Sequence, residues 1–440
     1  MSDRRWIERA LTALAERLGL STGQAYTVVT GLVVAVALVG VGLPPVVGRH
    51  VVAPAEAAAP TSSAADGTPP ATAPEAPLPV VELPAPSSFG FTPSSRTYDT
   101  TGATPSVPAR SLTSAIPLGT TARFAMVPDP GAPSGVAIGA DGTVYVATGN
   151  ALTRGGSGDG VVQAFDPTGR LRRSWTVAGM AATRSIGLTD VVVDGTGAVW
   201  VLDASTSRVL RIEPGVAAPV VVATVPDLPS CAFGLASPPC EPGLSNGAPE
   251  LRGLAIRPQG GVYVADRVQG TIWSVDRLGA VQPTVSLDDR LAGEGPVDVA
   301  VMGDGSLVAT VSARLGSVPT GLPAVVRVPV DGDAFGAPTV VTDLASGDAP
   351  QAVVATASGR VYVALSGVNE VVDVGLDQGD QVRHGPGLDP PFDVPVGLAL
   401  RDGSLLVTNQ GAANADASHW LVLALGVADR PLALTPRSTS

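Results

Sequence analysis

Between residues 133 and 408 the chain repeats one short phrase six times: a small or proline start, an apolar strand, a turn centred on glycine and a second apolar strand. The copies are PSGVAIGADGTVYV (133–146), LTDVVVDGTGAVWV (188–201), LRGLAIRPQGGVYV (251–264), PVDVAVMGDGSLVA (296–309), PQAVVATASGRVYV (350–363) and PVGLALRDGSLLVT (395–408). A unit this short cannot bury its own apolar face, so it must stack on its neighbours. Six such units in a ring satisfy one another.

Each turn centres on Gly142, Gly197, Gly260, Gly305, Gly359 or Gly403, and Asp-Gly, Ser-Gly and Thr-Gly pairs suit tight hairpins. The second strands (VYVA, VWVL, VYVA, LVAT, VYVA, LLVT) are continuous apolar runs, the pattern of strands buried on both faces. A third strand follows each, as in RVLRIE (208–213) and TIWSVD (271–276), and a fourth is visible at LRRSWTV (171–177), PVVVATV (219–225) and PTVVTDL (338–344). Four antiparallel strands per unit around an axis predict an all-β six-bladed β-propeller over residues 118–428. ARFAMV (122–127) precedes the first copy and is expected to supply the outermost strand of blade six, closing the ring and its open edges.

Upstream of the repeats the composition changes twice. Residues 25–47 carry no charge and are long enough to cross a bilayer. Arg4, Arg5, Arg9 and Arg17 precede them, so the positive-inside rule keeps residues 1–24, with a short amphipathic helix, in the cytoplasm. The expected topology is a single transmembrane helix in the plasma membrane with the propeller outside; the alternative is a signal peptide and secretion. Residues 48–117 are rich in Ala, Pro, Ser and Thr and are expected to form a disordered tether, and residues 429–440 a flexible tail. Cys231 and Cys240 are expected to form one disulfide in an oxidising compartment, or to stay free thiols in a reducing one.

A net charge of −12 argues against nucleic acid as partner. The chain has no lysine, which excludes a P-loop lysine, a Schiff-base lysine and a Ser-Lys dyad. Gly243-Leu244-Ser245-Asn246-Gly247 matches the nucleophile-elbow pattern but lies in a Pro-rich insertion instead of a strand–turn–helix, and is read as coincidence. No catalytic residue is assigned.

The phrase, best seen in PSGVAIGADGTVYVATGN and LRGLAIRPQGGVYVADRVQGTIWSVD, resembles the repeat of NHL propellers and of the related SMP-30/gluconolactonase propellers. The lactonase branch of that resemblance implies calcium or another divalent metal, held by a Glu-Gly-Pro glutamate, an Asn-Gly-Leu asparagine and a Pro-Asp-Gly aspartate. Glu294-Gly295-Pro296 matches the first phrase, though in blade four. The counterpart of the second is Arg252-Gly253-Leu254, and that of the third is Pro296-Val297-Asp298, its carboxylate one residue late. The metal candidates are therefore Glu294 and Asp298.

Taken by position alone, the residues at the strand starts are expected to face the channel mouth: Ser134, Asp190, Arg252, Asp298 and Gln351. Arg252 stands between Asp190 and Asp298 in blade order, either forming a charge-paired ligand patch with them or simply neutralising two buried carboxylates. Asp203, Asp266 and Asn409 follow second strands and are expected to accept backbone N–H bonds in the turns. The favoured reading is a membrane-anchored extracytoplasmic propeller serving as a binding or sensor domain for a protein or small-molecule ligand. The alternative is a metal-dependent lactonase.

Overall fold

The computed structural model describes residues 115–128, 132–148, 159–180, 187–228, 249–287, 294–313, 321–411 and 420–432. All of them fall in the unit Thr97–Ser440. The expected membrane helix, residues 48–114 of the expected tether, the Cys231–Cys240 pair and residues 243–247 lie outside the described residues, as do residues 433–440 and the Glu294 side chain.

The first strand, β1 (Thr121–Met126), precedes six antiparallel sheets. Blade one is β2 (Pro133–Ile138), β3 (Val144–Thr148), β4 (Gly160–Phe165) and β5 (Leu171–Val177); blade two is β6 (Leu188–Val193), β7 (Val199–Asp203), β8 (Arg208–Ile212) and β9 (Val220–Thr224). Blade three is β10 (Leu251–Ile256), β11 (Val262–Asp266), β12 (Thr271–Val275) and β13 (Val281–Ser286). Blade four has β14 (Glu294–Val301), β15 (Leu307–Ala313) and β16 (Ala324–Val328), an inserted hairpin of β17 (Val330–Asp331) and β18 (Ala334–Phe335), then β19 (Thr339–Asp343). Blade five is β20 (Pro350–Ala355), β21 (Arg360–Leu365), β22 (Glu370–Gly375) and β23 (Gln381–His384). Blade six is β24 (Pro395–Arg401), β25 (Ser404–Asn409) and β26 (Leu421–Gly426), with β1 as its fourth strand.

The first strands of successive blades touch in a closed cycle, β2, β6, β10, β14, β20, β24 and back to β2. They therefore form the wall of a central channel. The ring closes as the sequence predicts: β1 runs antiparallel to β26, and Phe124 on β1 is fully buried among Val136 and Phe165 of blade one and Trp420 and Val422 of blade six. Similar apolar layers fill each gap between sheets, with Trp200 and Trp273 fully buried between blades two and three. All six turn glycines adopt positive φ, between 70° and 96°, a conformation a Cβ would penalise.

We call upper the face on which the chain begins each inner strand, and lower the face carrying the first hairpin of each blade. The chain after β26 crosses the lower face. Asp429 accepts hydrogen bonds from Ser358 Oγ (2.6 Å) and Tyr362 Oη (2.8 Å), and Arg430 O accepts one from the Ala357 N–H (3.0 Å). Pro431 and Leu432 then reach the channel and help line it.

Candidate functional site at the channel and upper face

Every inner strand pairs irregularly with its neighbour just after its start, between 133/136, 188/190, 251/253, 296/298, 350/353 and 395/397. A bulge inserts a residue and re-aims side chains, so simple in–out alternation fails there. The third position of the phrase then faces the neighbouring inner strand. Around the ring it reads Gly135, Asp190, Gly253, Asp298, Ala352, Gly397.

That order has a steric and a hydrogen-bonding reason. A Cβ on Gly135 would lie 2.4 Å from Asp190 Oδ1, and one on Gly253 would lie 1.9 Å from Asp298 Oδ1, so each aspartate needs a glycine on the blade before it. Each also uses the blade after it. Asp190 Oδ1 accepts from its neighbour Val191 N–H (2.8 Å) and Oδ2 from Leu254 N–H of blade three (2.7 Å). Asp298 repeats this with Val299 (2.8 Å) and Val353 of blade five (2.7 Å). The two carboxyl groups are the polar side chains lining a channel cavity of about 230 Å³, whose walls include Val136, Leu254, Val299, Val353 and Leu398. Burial in this apolar wall pushes the Asp190 carboxyl up to about 7, against the pull of its N–H partners. Asp298 is driven well above the usual carboxylate range by burial first and by the Asp190 charge second.

On the upper face, arginines of three blades grip buried carboxylates. In blade two, Arg208 donates to Asp203 Oδ2 through Nε (3.0 Å) and Nη2 (2.7 Å). In blade three, Arg252 donates to Glu250 Oε1 through Nε (2.6 Å) and Nη2, with Arg267 Nη1 at 3.7 Å. In blade five, Arg383 takes both oxygens of Asp348 (3.1 and 2.6 Å) and bonds Glu370 (3.0 Å). Asp203, Glu250 and Asp348 are buried, whereas the arginines keep 19–35% of their side-chain surface. Burial and the nearby Arg252 charge push the Arg267 guanidinium down.

Among the predicted site residues, Asp190 and Asp298 do line the channel; Ser134, Arg252 and Gln351, one position earlier in the phrase, do not. Ser134 is buried, its Oγ 2.7 Å from the Leu188 carbonyl of blade two and 3.0 Å from that of Ala147. Gln351 donates to Ser366 Oγ (3.1 Å). The expected pairing of Arg252 with the two aspartates does not form: its partner is Glu250, two residues earlier, because the bulge turns Arg252 away from the third-position carboxylates. Backbone N–H groups and raised proton affinity take the place of a cation in the channel. Asp203 and Asp266 accept backbone N–H bonds as expected, from Ser205 (2.9 Å) and from Glu250 (3.0 Å) and Gln269 (3.2 Å). Asn409 instead donates, to the Pro391 carbonyl (3.3 Å). The repeat phrase does not mark Glu250, Asp348 or Arg383, although Glu250 and Arg252 stand in an acid–x–Arg spacing.

The described residues do not fit a resident metal at the channel mouth. Both Asp298 oxygens are engaged by N–H donors, and the position of an asparagine ligand carries an ion-paired arginine. Among the described residues no group of three or more His, Cys, Asp or Glu is placed to hold a metal ion.

No family model matches the sequence, and no curated protein matches it. Solved structures resemble it in fold. Virginiamycin B lyase from Staphylococcus aureus is 11% identical over 70% of this chain and 99% of its own, with a TM-score of 0.46. Regucalcin from Agrobacterium tumefaciens, a calcium-binding protein, is 15% identical over 70% and 96%, with a TM-score of 0.46. A luciferin-regenerating enzyme is 13% identical over 69% and 94%, with a TM-score of 0.45. Likeness at this level assigns no role to any residue here. By its own sheet order and closed cycle of inner strands, the chain is a six-bladed β-propeller.

Proposed function

We propose that this propeller is a binding or sensor domain, held outside the membrane by residues 25–47, that takes its ligand on the upper face. The observation that carries this reading is the set of arginines Arg208, Arg252 and Arg383, each held in place by a buried acid and keeping 19–35% of its side-chain surface open. A guanidinium fixed on one side and open on the other presents donors at low ordering cost, which suits a protein or small molecule rich in acceptor groups. The channel carboxylates support the ring in this reading, since each bonds the backbone of the next blade.

A ligand that binds the native state raises its melting temperature by mass action. The full chain should therefore melt at a higher temperature in its own cells than after purification, and the difference should vanish when Arg252 and Arg383 are both replaced by Gln. Equal melting in the two settings, or a difference that the substitutions leave intact, would contradict the reading.

A further inference from the structure

A second opening lies on the lower face between blades three and four. It is a cleft of about 430 Å³ lined by Arg257, Tyr263, Ser274 and Gln282 of blade three and by Asp333 and Phe335 of the inserted hairpin β17–β18.

Comparison of the blades shows what is missing there. Blades one and six carry Ala164 and Ala424 across from the second strand, whereas blades two, four and five carry Arg211, Arg327 or Asp373. Each of these is half of an arginine–carboxylate pair: Arg211 with Asp194, Arg327 with Asp304, and Asp373 with Arg360. In blade three the same position is Ser274, opposite Tyr263. The small side chain leaves the cleft open. Arg257 lies with its guanidinium 5.5 Å from the centre of the Tyr263 ring, and its buried Nε has no hydrogen-bond partner among the described residues. Asp276 feels its charge, but that carboxylate is turned to the Leu278 and Ala280 N–H groups (2.8 and 2.9 Å). Blade six repeats the arginine as Arg401, beside Leu406 and Ala424 and without an aromatic wall.

We infer that this cleft binds a small hydroxylated monocarboxylate of the sugar-acid class, with Arg257 taking the carboxylate. A guanidinium fork matches a carboxylate in two parallel hydrogen bonds. Phe335 on the hairpin meets the buried Tyr263 ring edge-on, ring centres 6.1 Å apart, and offers a small apolar wall to one side of a ring. Ser274 and Gln282 supply polar partners for hydroxyl groups. Asp333 at the hairpin tip adds a negative charge, which accepts from hydroxyls and disfavours a doubly charged anion. The volume is within the range of small-molecule sites.

The test is calorimetric titration of the full chain with D-glucuronate, with D-glucose and inorganic phosphate as comparison ligands. Saturable binding of glucuronate is expected, weakened about tenfold or more by Arg257→Gln, as loss of a charged bidentate contact requires. Ser274→Leu, which fills the cleft and leaves Arg257 in place, should abolish it. Glucose and phosphate should bind more weakly. No saturable binding by the wild-type chain, or equal binding by a folded Arg257→Gln protein, would overturn the proposal. So would binding that appears only after Asp333→Asn, since Asp333 would then be the natural partner of Arg257.

Discussion

The Asp298 carboxylate of blade four accepts the Val353 N–H of blade five at 2.7 Å, so an acidic side chain in the channel wall serves as a brace between blades. Asp190 braces blade two to blade three through Leu254 in the same way. Hydroxyl groups one position earlier extend the bracing: Ser134 Oγ donates toward Leu188 O, and Thr189 Oγ1 to Leu251 O at 3.1 Å. At the seam of the ring, Thr408 Oγ1 donates to Ser134 O at 2.5 Å.

These braces predict an unusual pH dependence. Asp190 is raised to about 7 and Asp266 to about 6 by burial, so the folded state holds protons that the unfolded state releases near pH 4. Their stabilising contribution is full below about pH 4 and is lost as pH rises through the folded values. Asp194, Asp276 and Asp304 are lowered, and the stability they add is lost only as pH falls below about 4. Thermal unfolding should therefore show a higher Tm at mildly acidic than at neutral pH. Replacing Asp190 and Asp298 by Asn should flatten that slope, and an unchanged slope would refute the assignment.

The glycine partner of each aspartate is as necessary as the aspartate. Gly253→Ala would place a Cβ 2.6 Å from the Asp298 Cα, a backbone atom that cannot swing aside. Destabilisation of about 3 kcal/mol or more is expected from overpacking at a site with no room to relax. Chemical denaturation measures it, and a loss below about 1 kcal/mol would show that the inner strands are not locked at this position.

Closure by β1 makes a distant segment essential. Phe124 has no exposed surface and joins blades six and one, so Phe124→Ala should cost about 3–5 kcal/mol, as for other buried aromatics. Deleting residues 120–128 should lower the melting temperature further and expose the edge of β26 to aggregation. Unchanged stability after the deletion would mean that the ring does not depend on this strand.

On the upper face, Arg252→Ala should leave a folded protein. Glu250 keeps Arg267 at 3.7 Å, so the expected loss is about 1–3 kcal/mol, that of a hydrogen bond to a charged group. Glu250→Ala should be worse, because Arg252 and Arg267 then repel each other without the acid between them. Denaturation curves giving the reverse order would show that Arg252 is a structural keystone and not a presented donor.

The six repeats were legible because glycine and apolar positions recur at fixed places, and the same regularity made the closing strand recognisable. Asp190 and Asp298 were legible as channel residues for the same reason. The partner of Arg252 was not. Alternation along a strand predicts where side chains point only if pairing is regular, and the bulge at each strand start breaks it. The hairpin β17–β18 left a faint signal, Asp331-Gly332-Asp333 between Val330 and Phe335, that the repeat pattern obscured.

We propose that the upper face binds without hydrolysing and that Asp298 supports the ring. Lactone hydrolysis by the full chain, measured with and without added calcium or zinc, tests it most directly. No turnover above the uncatalysed rate is expected under either condition. Metal-dependent turnover that disappears in a folded Asp298→Asn protein would contradict it.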